Sequence, residues 1–138
     1  MPTIYRRTSD ERARMADTLA AALSVDPRVD FAYLHGSFLD TLPFHDIDVA
    51  VMFTSEAEPD ITGAGLALGD QLERLVGHPV DVRALNRAPL TFQFKAARGR
   101  LLACRDEIRV ATFVERLLPR YFDLAPRLDR AIREAFAP

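Results

Sequence analysis

The sequence predicts an α/β (α+β) fold, in which helices pack on a small mixed sheet of three to four strands and two further helices follow at the C-terminal end. Two observations support this prediction. Apolar runs of strand length alternate along the chain with longer segments whose apolar residues recur at helical spacing. Glycine and proline separate these segments, and no repeat or low-complexity stretch interrupts them. We therefore expect one domain over residues 1–138, with residues 106–138 as a helical tail.

The N-terminal half is predicted to contain two helices and two strands. Thr8 and Glu11 have the spacing of a capping box before the first helix, and Gly77 is placed to end the second. β-branched and aromatic residues dominate the strand segments. In chain order we expect a helix over 9–24, a strand over 29–34, a turn over 36–40, a strand over 46–53 and a helix over 60–76.

The C-terminal half adds two strands and three helices. Pro89 suits the first turn of a helix, and Asp106 suits the residue that caps one. Pro126 opens a helix more readily than it continues one. We expect a strand over 80–85, a helix over 89–98, an edge strand over 101–104, a helix over 106–120 and a last helix from residue 126.

Composition narrows the class of protein. Apolar residues make up 49% of the chain and charged residues 28%, which is ordinary for a soluble globular protein. The net charge of −2 gives no basic footprint, so we expect no direct nucleic-acid partner. Cys104 is the only cysteine, which excludes an internal disulfide and suits a reducing compartment. With no signal peptide and no apolar run of membrane-spanning length, the expected location is the cytoplasm, without a membrane.

Two carboxylates open the second predicted strand. Side chains alternate across a strand, so Asp46 and Asp48 point to one face while Ile47 points to the other. Carboxylates this close repel each other, and hard cations such as Mg²⁺, which prefer oxygen ligands, relieve that repulsion. A solvated strand start is the alternative, but solvated carboxylates would not require the Gly-Ser pair upstream or a third aspartate downstream. We therefore predict a metal site here.

A Gly-Ser pair lies directly upstream of these carboxylates. Gly36 and Ser37 follow the apolar strand that ends near Leu34. Glycine lets a backbone approach a ligand closely, and amides at the start of a helical turn favour phosphate. Simple turn chemistry would also place these residue types here. Because the turn precedes the aspartate pair, we predict that Gly36 and Ser37 bind the phosphates of a nucleotide.

These motifs resemble the nucleotidyltransferase fold of the DNA polymerase beta type. The resemblance rests on Gly36-Ser37, a spacer, Asp46-x-Asp48 on an apolar strand, and Asp81 between two valines on a later strand. It implies that Asp46 and Asp48 hold two Mg²⁺ ions and that Asp81 joins one of them and activates the acceptor hydroxyl. Asp81 paired with Arg83 on an exposed strand is the competing interpretation. The spacer of eight residues is shorter than the ten common in the family and lacks its frequent arginine.

Within that family the chain resembles the minimal antitoxins of the MntA type. The resemblance lies in the small size, the stretch from Asp81 to Pro89, the run Cys104-Arg105-Asp106-Glu107 and the helix around Phe113. It implies an antitoxin that transfers AMP from ATP to a tyrosine of a HEPN-type ribonuclease toxin. Two alternatives stay open: nucleotidylation of a small molecule such as an aminoglycoside, and a non-catalytic module that blocks a toxin. The sequence also leaves an oligomeric state open.

Several other residues receive weaker predictions. His35 and His45 are too scattered to form a metal site and are expected to be structural or solvated. The sequence does not decide whether Arg83, Arg87 and Lys95 reach a triphosphate. Apolar residues on wide arcs of the two predicted C-terminal helices are candidates for a surface that docks another protein, with core packing as the alternative: Phe113, Leu117, Tyr121, Phe122 and Phe136.

Overall fold

A computed structural model describes residues 3–137 as four strands and four α-helices. The predicted elements of the first hundred residues are confirmed, and each end lies within one residue of its predicted position. The elements are α1 (Ser9–Ser24), β1 (Val29–His35), β2 (Ile47–Phe53), α2 (Ile61–Val76), β3 (Val80–Ala84), α3 (Leu90–Ala97), β4 (Arg100–Cys104) and α4 (Glu107–Ala135), with a 3₁₀ turn at Ser55–Ala57.

The caps predicted from sequence form as expected. Thr8 accepts a hydrogen bond from the Glu11 amide, and the Glu11 side chain accepts one from the Thr8 amide. This reciprocal pair satisfies two amides that the first turn of α1 leaves without a helical partner. Gly77 ends α2 in the left-handed conformation, at a φ of 72°, which glycine adopts without steric cost.

The four strands form one mixed sheet in the order β3-β2-β1-β4. β1 pairs antiparallel with both β2 and β4. β2 and β3 are parallel, and α2 makes the crossover that two parallel neighbours require. This topology brings the end of β1 beside the start of β2, and the start of β2 beside the start of β3. The mixed sheet of three to four strands predicted from sequence is confirmed.

The sheet is covered on both faces, which explains why β1 is buried along its whole length. Ala32, Leu34 and Val49 pack on one face with residues of α1 and α2. Phe31 and Tyr33 pack on the other face with residues of α3 and α4. Residues 46, 48 and 81 have the alternation of this second face, so their side chains lie on the side of α3.

The loop between β1 and β2 is fastened to α1 by a buried arginine. Arg12 is only 7% exposed, and its guanidinium donates to the carbonyls of Phe38 at 2.7 Å and Leu42 at 2.8 Å. The same group lies 5.3 Å from the centre of the Phe38 ring and 5.0 Å from that of Phe44. A planar cation with several donors suits this double role. Arg12 therefore holds the shape of the segment that joins Gly36 to Asp46.

The prediction of two C-terminal helices is wrong, because α4 runs without a break from Glu107 to Ala135. Pro119 and Pro126 lie inside it. Proline removes one helical hydrogen bond and crowds the carbonyl four residues earlier, so a helix often ends there. These two prolines are seven residues apart and both are exposed, which places them on one solvent-facing side where water can satisfy the freed carbonyls. In residues 3–137 no helix has both the length and the apolar character needed to cross a membrane.

We predict that replacing Arg12 with leucine lowers the free energy of unfolding by about 2 kcal/mol, since buried carbonyls lose charged donors that leucine cannot replace. Thermal unfolding followed by circular dichroism measures the change. Arg14→Leu is the matched control, because Arg14 lies exposed on the same helix. Equal melting temperatures for the two variants would contradict this account of the loop.

Candidate functional site

Three aspartates meet at the end of the sheet where β1 ends and β2 and β3 begin. Asp46 directly precedes β2, Asp48 is its second residue, and Asp81 lies opposite Asp48 in the parallel register. Each of the three offers a carboxylate oxygen, and these oxygens lie within 4.8 Å of one another. We call Asp46, Asp48 and Asp81 the aspartate trio. The structure thus brings together all three carboxylates that the sequence singled out.

The trio concentrates negative charge around Asp48. Partial burial, together with the negative charges of Asp46 and Asp81, raises the pKa of Asp48 from 3.8 to about 6. The positive charges of Lys95 and Arg83 act against this shift. A carboxylate in such a position is expensive to ionise without a cation nearby. The site therefore favours binding of a positively charged ligand.

Gly36 provides the space in which the Asp48 carboxylate lies. Its φ of 83° is in the left-handed region, and a Cβ at this position would collide with the Asp48 carboxylate. Both observations require glycine here. After Gly36 the chain makes a tight helical turn, in which the Gly36 carbonyl accepts from the amides of Leu39 and Asp40. Ser37, the next residue, is exposed at the start of that turn.

Asp81 forms the ion pair with Arg83 that the sequence offered as a competing interpretation, and it is also a member of the trio. The Arg83 guanidinium donates to Asp81 Oδ2 at 3.1 Å, and both side chains are substantially exposed. An exposed pair of this kind contributes little to stability and is easily exchanged. Arg83 also lies over the ring of Phe92 at 6.0 Å. The pairing with Arg83 is thus compatible with a ligand role for Asp81, and the two interpretations do not exclude each other.

A cleft of about 410 Å³ opens beside Gly36, between the sheet end, α3 and α4. Lys95 and Arg98 provide positive charge along one wall. Phe94 and Tyr121 stack face to face, with ring centroids 3.7 Å apart, and provide an aromatic wall. The cleft therefore combines cations with a flat apolar surface, next to the trio.

The sequence did not decide whether Lys95 reaches a triphosphate, and it did not predict the wall formed by Phe94 and Tyr121. The four-residue spacing of Phe94 and Arg98 places both on one side of α3, and that signal was present in the sequence. Tyr121 comes from a helix 27 positions later, and no local pattern predicts that contact. Arg87, also left undecided, lies exposed after β3 and is not among the residues that line the cleft.

The two histidines considered from sequence lie outside the trio. His35 is the last residue of β1, is 6% exposed and packs edge-on against Phe92 with ring centroids 5.6 Å apart. Burial lowers the pKa of His35, so its imidazole is neutral at neutral pH. His45 is exposed, and its Nδ1 lies 3.0 Å from the Thr3 carbonyl. Among residues 3–137, the metal-ligating cluster consists of the aspartate trio alone.

The trio has the chemistry of a divalent-cation site. Its donors are carboxylate oxygens from three residues, which suits the hard ions Mg²⁺ and Mn²⁺ and not the softer metals bound by cysteine and histidine. The raised pKa of Asp48 reflects burial of its carboxylate and repulsion from Asp46 and Asp81, and a bound cation would offset both. The residues present could therefore hold a divalent metal.

Comparison with known families agrees with this geometry. Residues 17–108 match the family described as polymerase beta nucleotidyltransferase. The match spans two thirds of the chain and includes Gly36, Ser37 and the aspartate trio. The protein is a member of the polymerase beta nucleotidyltransferase family. Most of α4 lies beyond the matched residues, so the family assignment rests on the sheet, the first three helices and the site.

Solved structures share the nucleotidyltransferase fold over nearly the whole chain. A complex of a tri-AMPylated Shewanella oneidensis HEPN toxin with its MNT antitoxin contains a chain with a TM-score of 0.68 and 20% identity, over 90% of this chain and 98% of that one. A chain in a toxin–antitoxin complex with AMP-PNP has a TM-score of 0.66 and 19% identity, over 94% of this chain and 100% of that one. A chain in a MntA–HepT toxin–antitoxin complex has a TM-score of 0.64 and 18% identity, over 94% of this chain and 100% of that one. No curated protein matches the sequence significantly.

We predict that Asp48→Asn stabilises the metal-free nucleotidyltransferase at neutral pH and not in acid. A carboxyl whose pKa is raised in the folded state stabilises that state below the unfolded pKa of 3.8, and this contribution is lost as the pH rises through about 6. Asparagine keeps the shape and removes the charge. The melting temperature should therefore exceed that of the parent at about pH 8 and equal it near pH 3.5.

Asp70→Asn is the matched control for this pH experiment, since Asp70 is an exposed carboxylate on α2. Both variants are measured with a chelator present, so that no divalent ion neutralises the trio. A gain in melting temperature for Asp48→Asn that does not change between the two pH values would contradict the electrostatic explanation.

Proposed function

We propose that this protein transfers AMP from ATP to a hydroxyl of another protein, with a tyrosine of a HEPN-type toxin as the acceptor, and so acts as an antitoxin. The observation that carries the proposal is the meeting of the aspartate trio beside the Gly36 turn. Three carboxylates within 4.8 Å, a glycine that fits under one of them and a cationic cleft together suit a metal-bound triphosphate. Family membership supports the same chemistry.

Each site residue has a role in this proposal. Asp46 and Asp48 hold two Mg²⁺ ions, and Asp81 joins one of them. Mg²⁺ held by these carboxylates would polarise the phosphate oxygens and stabilise the entering and leaving oxygens. Gly36 and Ser37 contact the β- and γ-phosphates, because the turn that they begin lies beside the trio.

The cleft residues extend the proposed nucleotide site. The eight-residue spacer before Asp46 lacks the arginine that is frequent in the family, which removes one phosphate contact. Lys95 and Arg98 lie in the cleft beside Gly36 and provide positive charge at the same place. We assign them to the triphosphate, and we assign the Phe94–Tyr121 wall to the nucleoside.

The transfer step follows from these assignments. The acceptor hydroxyl gives its proton to the Asp81 carboxylate, and its oxygen forms a bond to the α-phosphorus. The bond from that phosphorus to the bridging oxygen breaks, and pyrophosphate leaves with the electron pair. Holding the hydroxyl in line with the breaking bond supplies much of the rate. Because Asp81 is substantially exposed, an acceptor can reach it from outside the protein.

The acceptor assignment is supported by the proteins that share this fold. One is an MNT antitoxin complex whose HEPN toxin carries three AMP groups, and another toxin–antitoxin complex contains AMP-PNP. This chain has the same extent as the matched chains, since 98% to 100% of each is covered. A protein acceptor bound from outside fits a nucleotidyltransferase of this size.

We predict that Asp46→Asn combined with Asp48→Asn abolishes binding of Mg²⁺-ATP. Two of three carboxylate ligands become neutral, so the metal that links protein to triphosphate is lost. Isothermal titration calorimetry with ATP and Mg²⁺ measures the affinity. Asp123→Asn combined with Asp129→Asn is the control, with the same charge change on the exposed part of α4. Unchanged affinity in the site variant would refute the metal-site assignment.

We predict that Asp81→Asn lowers the rate of AMP transfer roughly a hundredfold or more, the usual contribution of a general base. Binding of Mg²⁺-ATP should fall much less, because Asp46 and Asp48 remain. The assay mixes the protein with a HEPN-type toxin, ATP and Mg²⁺, and the mass of the toxin is measured by mass spectrometry. The parent should add one or more AMP units to the toxin. A toxin that is inhibited without a gain in mass would instead indicate a non-catalytic blocking module.

A further inference from the structure

The distal part of α4 carries an apolar surface that packs against very little of the protein. Beyond Leu117, which is buried, the helix continues to Ala135. Phe122, Ile132 and Phe136 are 61%, 58% and 84% exposed. We call this surface the tail face and define it by Tyr121, Phe122, Leu124, Leu128, Ile132 and Phe136. Of the residues that the sequence offered as candidates for a docking surface, Phe122 and Phe136 are exposed, whereas Phe113 packs on Phe31 and Leu117 is buried beneath α4.

The tail face is as wide as the buried face of a core helix. At 100° per residue, its members and the alanines between them cover an arc of about 180°. All charged residues from 121 to 136 except Asp129 lie on the opposite half, where Asp123 and Arg127 form an i,i+4 pair. A soluble helix with such a division normally buries its apolar half. One helix covers only a narrow seam, so an arc this wide fits a groove between two helices of a partner.

The position of the tail face relates it to the aspartate trio. α4 begins near Asp30, passes Phe31 at Phe113 and reaches the cleft at Tyr121. It therefore runs toward the end of the sheet that holds the trio and continues for 14 more residues to Ala135, roughly 21 Å at 1.5 Å per residue. Tyr121 belongs both to the cleft wall and to the tail face. A protein bound along this face would therefore adjoin the cleft at Tyr121.

We propose that the tail face is the docking surface for the acceptor protein, and that its occupant is a groove between two α-helices of that acceptor. This inference rests on the proposed function, because it takes the acceptor to be a protein. The face continues into the catalytic cleft, so docking brings an acceptor hydroxyl to the entrance of the site. The aromatic wall of Phe94 and Tyr121 connects the docked partner to the bound nucleotide.

A second copy of this chain fits the tail face less well. In an antiparallel pair of tail faces centred near Leu128, the two Asp129 side chains, one from each copy, would lie on the same side of the seam and repel each other. A second copy would also cover the cleft entrance through which the acceptor must arrive. The acceptor protein therefore fits this surface better than a second copy of the chain does.

The test replaces two central residues of the tail face with a pair that keeps the helix and the net charge. Leu128→Glu with Ile132→Lys introduces a favourable i,i+4 pair. The control, Asp123→Lys with Arg127→Glu, changes the polar half at the same spacing. Transfer of AMP to a HEPN-type toxin is measured as a function of toxin concentration. We expect the KM for toxin to rise about tenfold or more in the tail-face variant, as for central anchors of an interface, and to stay unchanged in the control.

Two further measurements separate the possible failures. Calorimetry with Mg²⁺-ATP should give equal affinities for parent and variant, since neither Leu128 nor Ile132 lines the cleft. If the parent protein transfers no AMP, the proposed function is contradicted. Direct titration with toxin then tests the docking surface separately: loss of binding in the tail-face variant, with binding kept in the control, supports the docking surface. An unchanged KM or unchanged binding overturns the docking surface. A parent dimer that becomes monomeric in the variant, seen by light scattering, overturns it in favour of a second copy.

Discussion

The repulsion among three carboxylates is the interaction on which the rest of this site depends. The parallel register of β2 and β3 places Asp48 opposite Asp81, and Asp46 lies two residues before Asp48 on the same side. Without a cation this arrangement is unfavourable, as the raised pKa of Asp48 shows. The fold tolerates the cost because the sheet is buried on both faces and holds the backbone in place. The same negative charge would favour binding of a divalent ion by the three carboxylates.

Residues around the trio maintain the positions of its carboxylates. Gly36 leaves room for the Asp48 carboxylate, which any larger residue would displace. Arg12 fastens the carbonyls of the following loop to α1, although Arg12 itself is far from the chemistry in the chain. A short loop with fixed ends keeps the turn at Gly36 beside the Asp48 carboxylate. The arrangement of the aspartate trio and the Gly36 turn therefore relies on a buried arginine as well as on the residues of the trio itself.

The sequence predicted the elements and the trio well because local patterns determine them. Alternation along β2 fixes the side of the sheet on which Asp46 and Asp48 lie, and the apolar neighbours of Asp81 mark it as a strand residue. The continuous α4 was not predictable in this way, since Pro126 normally marks a helix start and only its exposed position allows the helix to continue. The stacking of Phe94 on Tyr121 depends on tertiary packing between two helices, which no local spacing encodes.

The most direct test of this account is the titration of the Asp48 carboxyl by ¹³C NMR, with and without Mg²⁺. In the metal-free protein the account predicts a midpoint near the raised pKa of about 6. Addition of Mg²⁺ should move that midpoint well down, because the bound cation favours the ionised form. An Asp48 carboxyl that titrates near 3.8 without metal and does not respond to Mg²⁺ would contradict the account. It would show that the three aspartates do not act together as one cation site.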